Sequence, residues 1–427
     1  MIAKQSAVRG ARRTALWMTA TTLVGATLLT VAPAAMAAPS PAASAASAAS
    51  AASAGQGDRV HGTDLGPELR ALVERAGASA ALGEVRDRGR VTWRGAAGAA
   101  DLRTGAPARA DGRFRIGSVT KTFVATVVLQ LAAEGRIGLD DPVERYLPGP
   151  LPHGRSVTVR QLLNHTSGIY DYTSDPEFAL EDEADVRRFL AEDRWRTYSR
   201  RQLLDAADRH DPYFAPGQGW RYSNTNYVLV GMIVEKVTGR TWQREVERRI
   251  LRPLRLDGTV MPDTSTRIPG PHAKGYFPLP EGPADVSRLN PSVAGAAGAG
   301  ISSTRDLNRF LSALLGGRLL PEAQLAELKR TVPAPELGAS YGLGIIRYET
   351  ACGPVWGHPG GIEGYSTFLL GTEDGRRQVA LSANPYGPDA GEGAVTEELL
   401  DKALCGPAER PGRTPAYGHA ADRVRLR

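Results

Sequence analysis

The order of strand and helix signals predicts an α+β fold: a mostly antiparallel sheet built from both ends of the body, flanked by helices, with an all-helical subdomain inserted between. Three observations carry this. Strand-like runs stand early, at Ser79–Val85 and Val91–Ala97. Helical stretches fill the region from about Asp140 to Phe310. Strand signals then return at Gly344–Glu349, Tyr365–Leu370 and Gln378–Ser382.

Each element has a local reason. A helix is predicted at Leu65–Ala76, ahead of the first strand. Arg86-Asp87-Arg88-Gly89 makes the turn between the first two strands. A strongly apolar helix runs from Ser118 to Glu134, and Gly135 stands where a C-cap glycine belongs. Inside the middle region, helices are expected at Val159–Leu163, Tyr227–Val237 (stopped by Gly239) and Asp306–Leu315. Glu373-Asp374-Gly375 reads as a hairpin turn between the last two strands. A helix from Ala394 to Leu404 closes the body. No period of 20–50 residues suggests a solenoid or propeller.

The 427 residues divide into four parts. Residues 1–37 read as a signal peptide. Lys4, Arg9, Arg12 and Arg13 precede an apolar run from about Ala15 to Val31, and Ala35-Met36-Ala37 offers small residues at a cleavage site. Five threonines interrupt the run, so a cleaved signal is expected, with a secreted product and no membrane span after cleavage. Arg12-Arg13 also fits twin-arginine export. Residues 38–57 are an Ala/Ser-rich linker. Residues 58–408 form the folded domain, and 409–427 a basic tail expected to be disordered. The net charge of +6 comes from the ends: the first 37 residues carry no acid, and the tail carries five arginines against Glu409 and Asp422. The body is close to neutral, which argues against nucleic acid as a partner. The two cysteines, Cys352 and Cys405, can form one disulfide in an oxidising compartment or stay as two buried free thiols.

Three short motifs carry chemistry. In Ser118-Val119-Thr120-Lys121, a hydroxyl and an ammonium three residues apart share one helix face. N-capping accounts for Ser118. It does not account for Lys121: a cation in the first turn opposes the helix dipole by up to about 1 kcal/mol. That field, together with burial, would favour the neutral amine that a general base for the serine requires. In Tyr222-Ser223-Asn224, a phenol and an amide two apart face one cleft if the segment is extended. The phenol can relay a proton where nearby positive charge lowers its pKa, and the amide can hold a substrate carbonyl. In Gly357-His358-Pro359-Gly360-Gly361, glycines around a strand admit a ligand backbone. The N–H groups of Gly361 and Ser118 would together make an oxyanion hole. Each motif alone also reads blandly, as a cap, a polar loop and a glycine-rich turn.

In order along one chain the three motifs resemble the penicillin-recognising serine hydrolases, in the branch holding class C β-lactamases, secreted D-alanyl-D-alanine carboxypeptidases and related esterases. Phe114-Arg115-Ile116-Gly117, Leu162-Leu163-Asn164-His165-Thr166-Ser167-Gly168, Pro216-Gly217, Gly298-Ala299-Gly300-Ile301 and Gly364-Tyr365 agree with that family too. The resemblance spans about Asp64 to Cys405. It implies a β-lactamase/DD-peptidase-like fold with the site in a cleft between the sheet and the helical subdomain.

By resemblance, Ser118 is the nucleophile, Lys121 and Tyr222 shuttle its proton, and Asn224, His358, Gly360 and Gly361 contact the substrate. The resemblance also pairs Cys352 with Cys405. His358 replaces the lysine of β-lactamases, which points to D-alanyl-D-alanine carboxypeptidase activity on peptidoglycan stem peptides, with β-lactams as inhibitors. Pro359 and Gly361 lack the hydroxyls that such carboxypeptidases use on the terminal carboxylate, which leans toward an esterase; Arg347 is the candidate replacement charge. The same residues are also compatible with a class C-like β-lactamase, or with a penicillin or peptidoglycan sensor that does not turn over. His165 is expected to be buried and hydrogen-bonded. A monomer without metal or cofactor is expected, since the seven histidines show no zinc spacing, and no G-x-S-x-G elbow occurs.

Overall fold

A computed structural model describes residues 63–149, 156–386 and 392–406. The expected signal peptide, linker and basic tail lie outside the described residues.

Both ends of the body join one sheet. The first hairpin pairs β1 (Ala78–Asp87) with β2 (Arg90–Asp101), and a short β3 (Ala106–Pro107) edges it. Six strands follow the helical region: β4 (Val332–Ala334), β5 (Ala339–Tyr341), β6 (Ile346–Thr350), β7 (Gly353–Ile362), β8 (Tyr365–Thr372) and β9 (Arg377–Pro385). They complete a nine-stranded antiparallel sheet of order β3-β2-β1-β9-β8-β7-β6-β5-β4, closed across the chain ends by the β1–β9 pairing. Arg88 and Gly89 both take positive φ (49° and 78°), the mirror-image turn that matches strand twist in a two-residue hairpin loop.

The sheet is covered on both faces. Helices α1 (Gly66–Glu74) and α6 (Glu392–Cys405) bury Leu69, Leu72, Leu399 and Leu400 with Val85, Phe368 and Leu381 on one face. On the other, α2 (Val119–Ala133) and α5 (Thr304–Leu315) contribute Phe123, Val127, Phe310 and Leu314 to the larger core. Phe123 and Phe310 stack at 3.7 Å between ring centroids. The helical middle contains α3 (Val159–Leu163) and α4 (Asn224–Thr238), the latter ended by Gly239 at φ 70°. Cys352 and Cys405 are disulfide-bonded, joining the β6–β7 turn to the end of α6.

The differences from expectation are instructive. Helix α4 begins at Asn224 rather than Tyr227, so the Tyr222–Asn224 segment is the entry to a helix and not a fully extended loop. The glycine-rich motif read as lying around a strand is itself the strand β7, buried along Val355–Ile362. Low β-propensity is overridden because only small residues fit there. A Cβ at Gly357 would sit 1.8 Å from Leu369 O, and one at Gly360 would sit 2.0 Å from Ile116 O. Among the described residues no helix is long and apolar enough to cross a membrane.

Candidate active site

The segment before α2 is pressed flat on β7. Gly117 has φ +46°, and a Cβ there would lie 2.6 Å from Gly361 O and 2.8 Å from Gly361 N. Backbone therefore meets backbone, which brings Ser118 beside Gly360 and Gly361. Thr120 Oγ1 donates to Gly117 O (2.7 Å) and accepts from Gly300 N (3.0 Å), pinning the turn to the small-residue segment before Ile301. Ser118 holds the cap position of α2, yet its side chain caps nothing. The hydroxyl points instead to Lys121.

Lys121 is fully buried, and its Nζ lies 2.9 Å from Ser118 Oγ. It donates to Asn224 Oδ1 (2.7 Å) and Ala297 O (2.7 Å). Burial pushes the amine well below the ordinary lysine range, and the Asp171 carboxylate works against that. An amide oxygen and a backbone carbonyl can only accept. A neutral amine gives them its two N–H bonds and turns its lone pair to the Ser118 hydroxyl, the arrangement of a general base.

Tyr222 sits over this pair, with Lys121 Nζ 4.9 Å from its ring centroid. Its hydroxyl is buried and finds no partner of full hydrogen-bond geometry among the described residues, though a weak hydrogen bond with Ser118 lowers its proton affinity somewhat. Burial dominates and raises the phenol well above its usual value. Nearby positive charge, the condition under which a phenol is readied to relay a proton, is outweighed here: the lysine that would supply the charge is itself driven toward neutrality. Tyr222 rests as a phenol, able to give a proton before it takes one.

The expectation for Asn224 is corrected. Beyond accepting from Lys121, its Nδ2 donates to Asp171 Oδ2 (3.1 Å) and Thr173 Oγ1 (3.3 Å), so both amide protons are engaged by the protein and none is left for a substrate carbonyl. Entering a helix rather than an open loop turns the amide inward.

His358 is fully buried on β7. Its Nε2 lies 2.8 Å from Tyr341 Oη, and its Nδ1 lies 2.5 Å from Pro359 O. Tyr341 Oη also lies 3.2 Å from Nε2 of His165. His165 Nδ1 accepts from Ser223 N (3.2 Å) and faces Asn226 Nδ2 (3.2 Å). One set of proton positions satisfies the chain: His165 Nε2–H donates to Tyr341, Tyr341 donates to His358 Nε2, and His358 Nδ1–H donates to Pro359 O. Burial, with Lys121 nearby, lowers both histidines, His358 to about 3. His165 stacks on Tyr222 at 4.3 Å. It holds φ +63°, which costs a non-glycine residue about 1–2 kcal/mol and which its hydrogen bonds offset. The reading of His165 as a buried, hydrogen-bonded residue holds.

The structure thus brings Ser118, Lys121, Tyr222, Asn224, His358, Gly360 and Gly361 into one region. Arg347, offered as a carboxylate clamp, is ion-paired with Glu349 two residues along its own strand. Asp171 and Tyr341 escaped the sequence reading. The signals were an acid among apolar and aromatic residues in Ile169-Tyr170-Asp171-Tyr172, and a tyrosine opening Tyr341-Gly342-Leu343-Gly344.

Comparison with known proteins agrees with this geometry. The β-lactamase family pattern matches residues 68–403. Esterase EstB of Burkholderia gladioli is 31% identical over 342 residues, covering 70% of this chain and 84% of that protein. Penicillin-binding protein 4* of Bacillus subtilis (strain 168) is 29% identical, covering 67% of this chain and 64% of its own length. Among solved structures, a D-stereospecific amidohydrolase from Streptomyces sp. is similar with a TM-score of 0.71 and 43% identity, covering 81% of this chain and all of that one. D-amino acid amidase from Ochrobactrum anthropi SV3, complexed with L-phenylalanine amide, gives a TM-score of 0.68 at 28% identity, covering 79% and 98%. With a match over most of its described length, the chain belongs to the β-lactamase family, the penicillin-recognising serine hydrolases.

Proposed function

We propose that this serine hydrolase cleaves amide bonds of D-amino-acid-containing substrates through an acyl-enzyme on Ser118. The observation that carries the chemistry is the buried Lys121 amine, 2.9 Å from Ser118 Oγ with its other two contacts on obligate acceptors. Ser118 Oγ attacks the carbonyl carbon while Lys121 takes its proton. The oxyanion is held by the N–H groups of Ser118 and Gly361. Tyr222 passes a proton to the leaving amine, whose C–N bond breaks, and is reprotonated from Lys121. Water then repeats the sequence on the ester and frees Ser118. β7 runs past the end of β6, whose pairing stops at Gly357, so residues 358–362 pair only with β8 among the described strands. An extended peptide or amide can lie along that edge. His358 and Gly360 would line it.

The amidase reading is favoured over the esterase by the 43% identical amidohydrolase, and over the carboxypeptidase by the residues that follow His358. Pro359 and Gly361 offer no hydroxyl for a terminal carboxylate, and Arg347 is engaged by Glu349. D-alanyl-D-alanine carboxypeptidase activity is the second reading, supported by the penicillin-binding relative. Export through the N-terminal segment, and β-lactams as slow acylating inhibitors, belong to the same proposal. The test is to incubate the protein with D-phenylalanine amide, its L-enantiomer, a short acyl ester and a diacyl-D-Ala-D-Ala peptide, following products and the mass of the quenched enzyme. Ammonia release from the D-amide with an adduct on Ser118 is expected. D-alanine release with an inert amide would replace the first reading with the second. Ester cleavage alone would make the protein an esterase.

A further inference from the structure

The residue left without a role is Asp171. It is a buried acid whose carboxylate accepts from three N–H groups: Asn224 N (3.1 Å), Asn224 Nδ2 (3.1 Å) and Thr173 N (3.2 Å). All three are donors, which suits an ionised carboxylate. Asp171 stands one amide away from Lys121, and among the described residues no direct ion pair joins the two. A carboxylate can only accept, so it draws the Nδ2 end of Asn224 to itself and turns the oxygen end to Lys121. The flipped amide would set oxygen against oxygen at Asp171 and N–H against N–H at Lys121.

We propose that Asp171 is a positioning residue for the reaction: through Asn224 it directs the Lys121 lone pair at Ser118 and supplies the negative charge that the buried amine senses. The first part follows from counting. With Asn224 Oδ1 and Ala297 O each consuming an N–H, the third direction of Nζ is the one toward Ser118 Oγ. The second follows from placement. A carboxylate touching the amine would hold it as a fixed ammonium. One amide further out, it moderates burial without quenching the base. Among the described residues the other titratable groups facing Lys121 are His165 just after α3, His358 on β7, Tyr222 just before α4 and Tyr227 in its first turn. Burial favours the neutral form of each and works against the Asp171 charge too, but Asp171 is the group among them whose oxygens meet three N–H donors, which makes it the negative partner.

The inference rests on the hydrolase reading, and the experiment separates the two. Wild type and Asp171→Asn are compared in the pH dependence of kcat/KM for an activated short-chain ester, with folding checked by thermal melting. Losing the negative charge makes Lys121 easier to deprotonate, so the acid limb moves to lower pH. The plateau falls at least tenfold as the Asn224 amide loses its orientation. A purely structural loss would lower the rate at every pH and leave the limb in place, and that result overturns the proposal. If wild type forms no ester adduct on Ser118, the hydrolase reading itself has failed. Should Asp171→Asn not fold, Thr173→Val loosens the same amide and keeps the charge. A few-fold lower plateau with the limb unmoved, restored in Thr173→Ser where the hydroxyl returns, is expected; an unchanged plateau, a displaced limb, or a loss that Thr173→Ser does not restore would overturn the assignment.

Discussion

On one side of Tyr222 the buried polar network contains an amine and a carboxylate; on the other it contains two histidines bridged by a tyrosine. Both are buried, and each ties the Tyr222–Asn224 motif to another: the first to Ser118 and Lys121, the second to His358. They respond to burial differently. Lys121 has two obligate acceptors and one partner, Ser118, that can either give or take a proton, so its network has a movable proton. His358 and His165 sit in a chain in which each hydrogen bond runs one way, from Ser223 N to Pro359 O, and burial holds both rings neutral. Desolvation that prepares a base on one side fixes a tautomer on the other. A titratable side chain in a cleft is thus not chemistry by itself; what decides is whether its neighbours leave a proton free to move.

Removing the movable proton should have the largest effect. Lys121→Met is expected to lower kcat/KM for an ester or amide about 10³-fold or more, and Ser118→Ala likewise. The double variant should be no worse than either, since the two act as a unit. Retention of a tenth of the activity in Lys121→Met would break the contrast between the networks. Tyr222→Phe should cost about 10²-fold in kcat, the usual scale for a positioned proton donor. It should leave the melting temperature unchanged or slightly raised, because the buried hydroxyl lacks a full hydrogen bond. A large fall in stability would show that Tyr222 serves the structure first.

The architecture was legible because its signals are long-range in order but local in kind. Strand-like runs at both ends, the strongly apolar helix after Ser118, and glycines at 135, 239 and 375 read correctly from neighbours alone. Strand β7 did not, since its identity depends on what lies above it: Gly360 is there because Ile116 O leaves no room for a Cβ. In the candidate site, the meeting of Ser118, Lys121 and Tyr222 was legible, because residue type and spacing single these three out. Legibility failed at Asn224, whose side chain is captured by Asp171, 53 residues earlier. Asp171 and Tyr341 act through partners distant in sequence, and no spacing rule links them to the motifs. Whether charge or burial governs the Tyr222 phenol was unreadable for the same reason, since burial belongs to the assembled fold.

On the histidine side the effects should fall on stability. Tyr341→Phe strands His165 Nε2–H and His358 Nε2 at once, two buried groups that cost about 1–3 kcal/mol each when unsatisfied. Chemical denaturation should show a loss of about 2–4 kcal/mol, with activity of the folded fraction reduced no more than about tenfold. Loss of activity as deep as in Lys121→Met, with stability retained, would place Tyr341 among the proton-moving groups and erase the distinction.

The gentlest test is acid. Each buried histidine is neutral when folded and ionises near pH 6.5 when unfolded, with His358 depressed to about 3 in the native state. Above pH 6.5 both states are neutral and no stability is at stake. As pH falls below 6.5 the unfolded chain binds protons that the folded chain does not, so stability declines, by about 1.4 kcal/mol per pH unit for each histidine. Asp171 contributes with the opposite sign, because burial raises its pKa and the folded state takes up its proton first. Comparing wild type with His358→Gln cancels that contribution and leaves the slope of one ring. Equal slopes between pH 6.5 and 4 would mean that His358 is protonated in the folded state, where its Nε2 could no longer accept from Tyr341. The neutral chain would then carry a charge of its own.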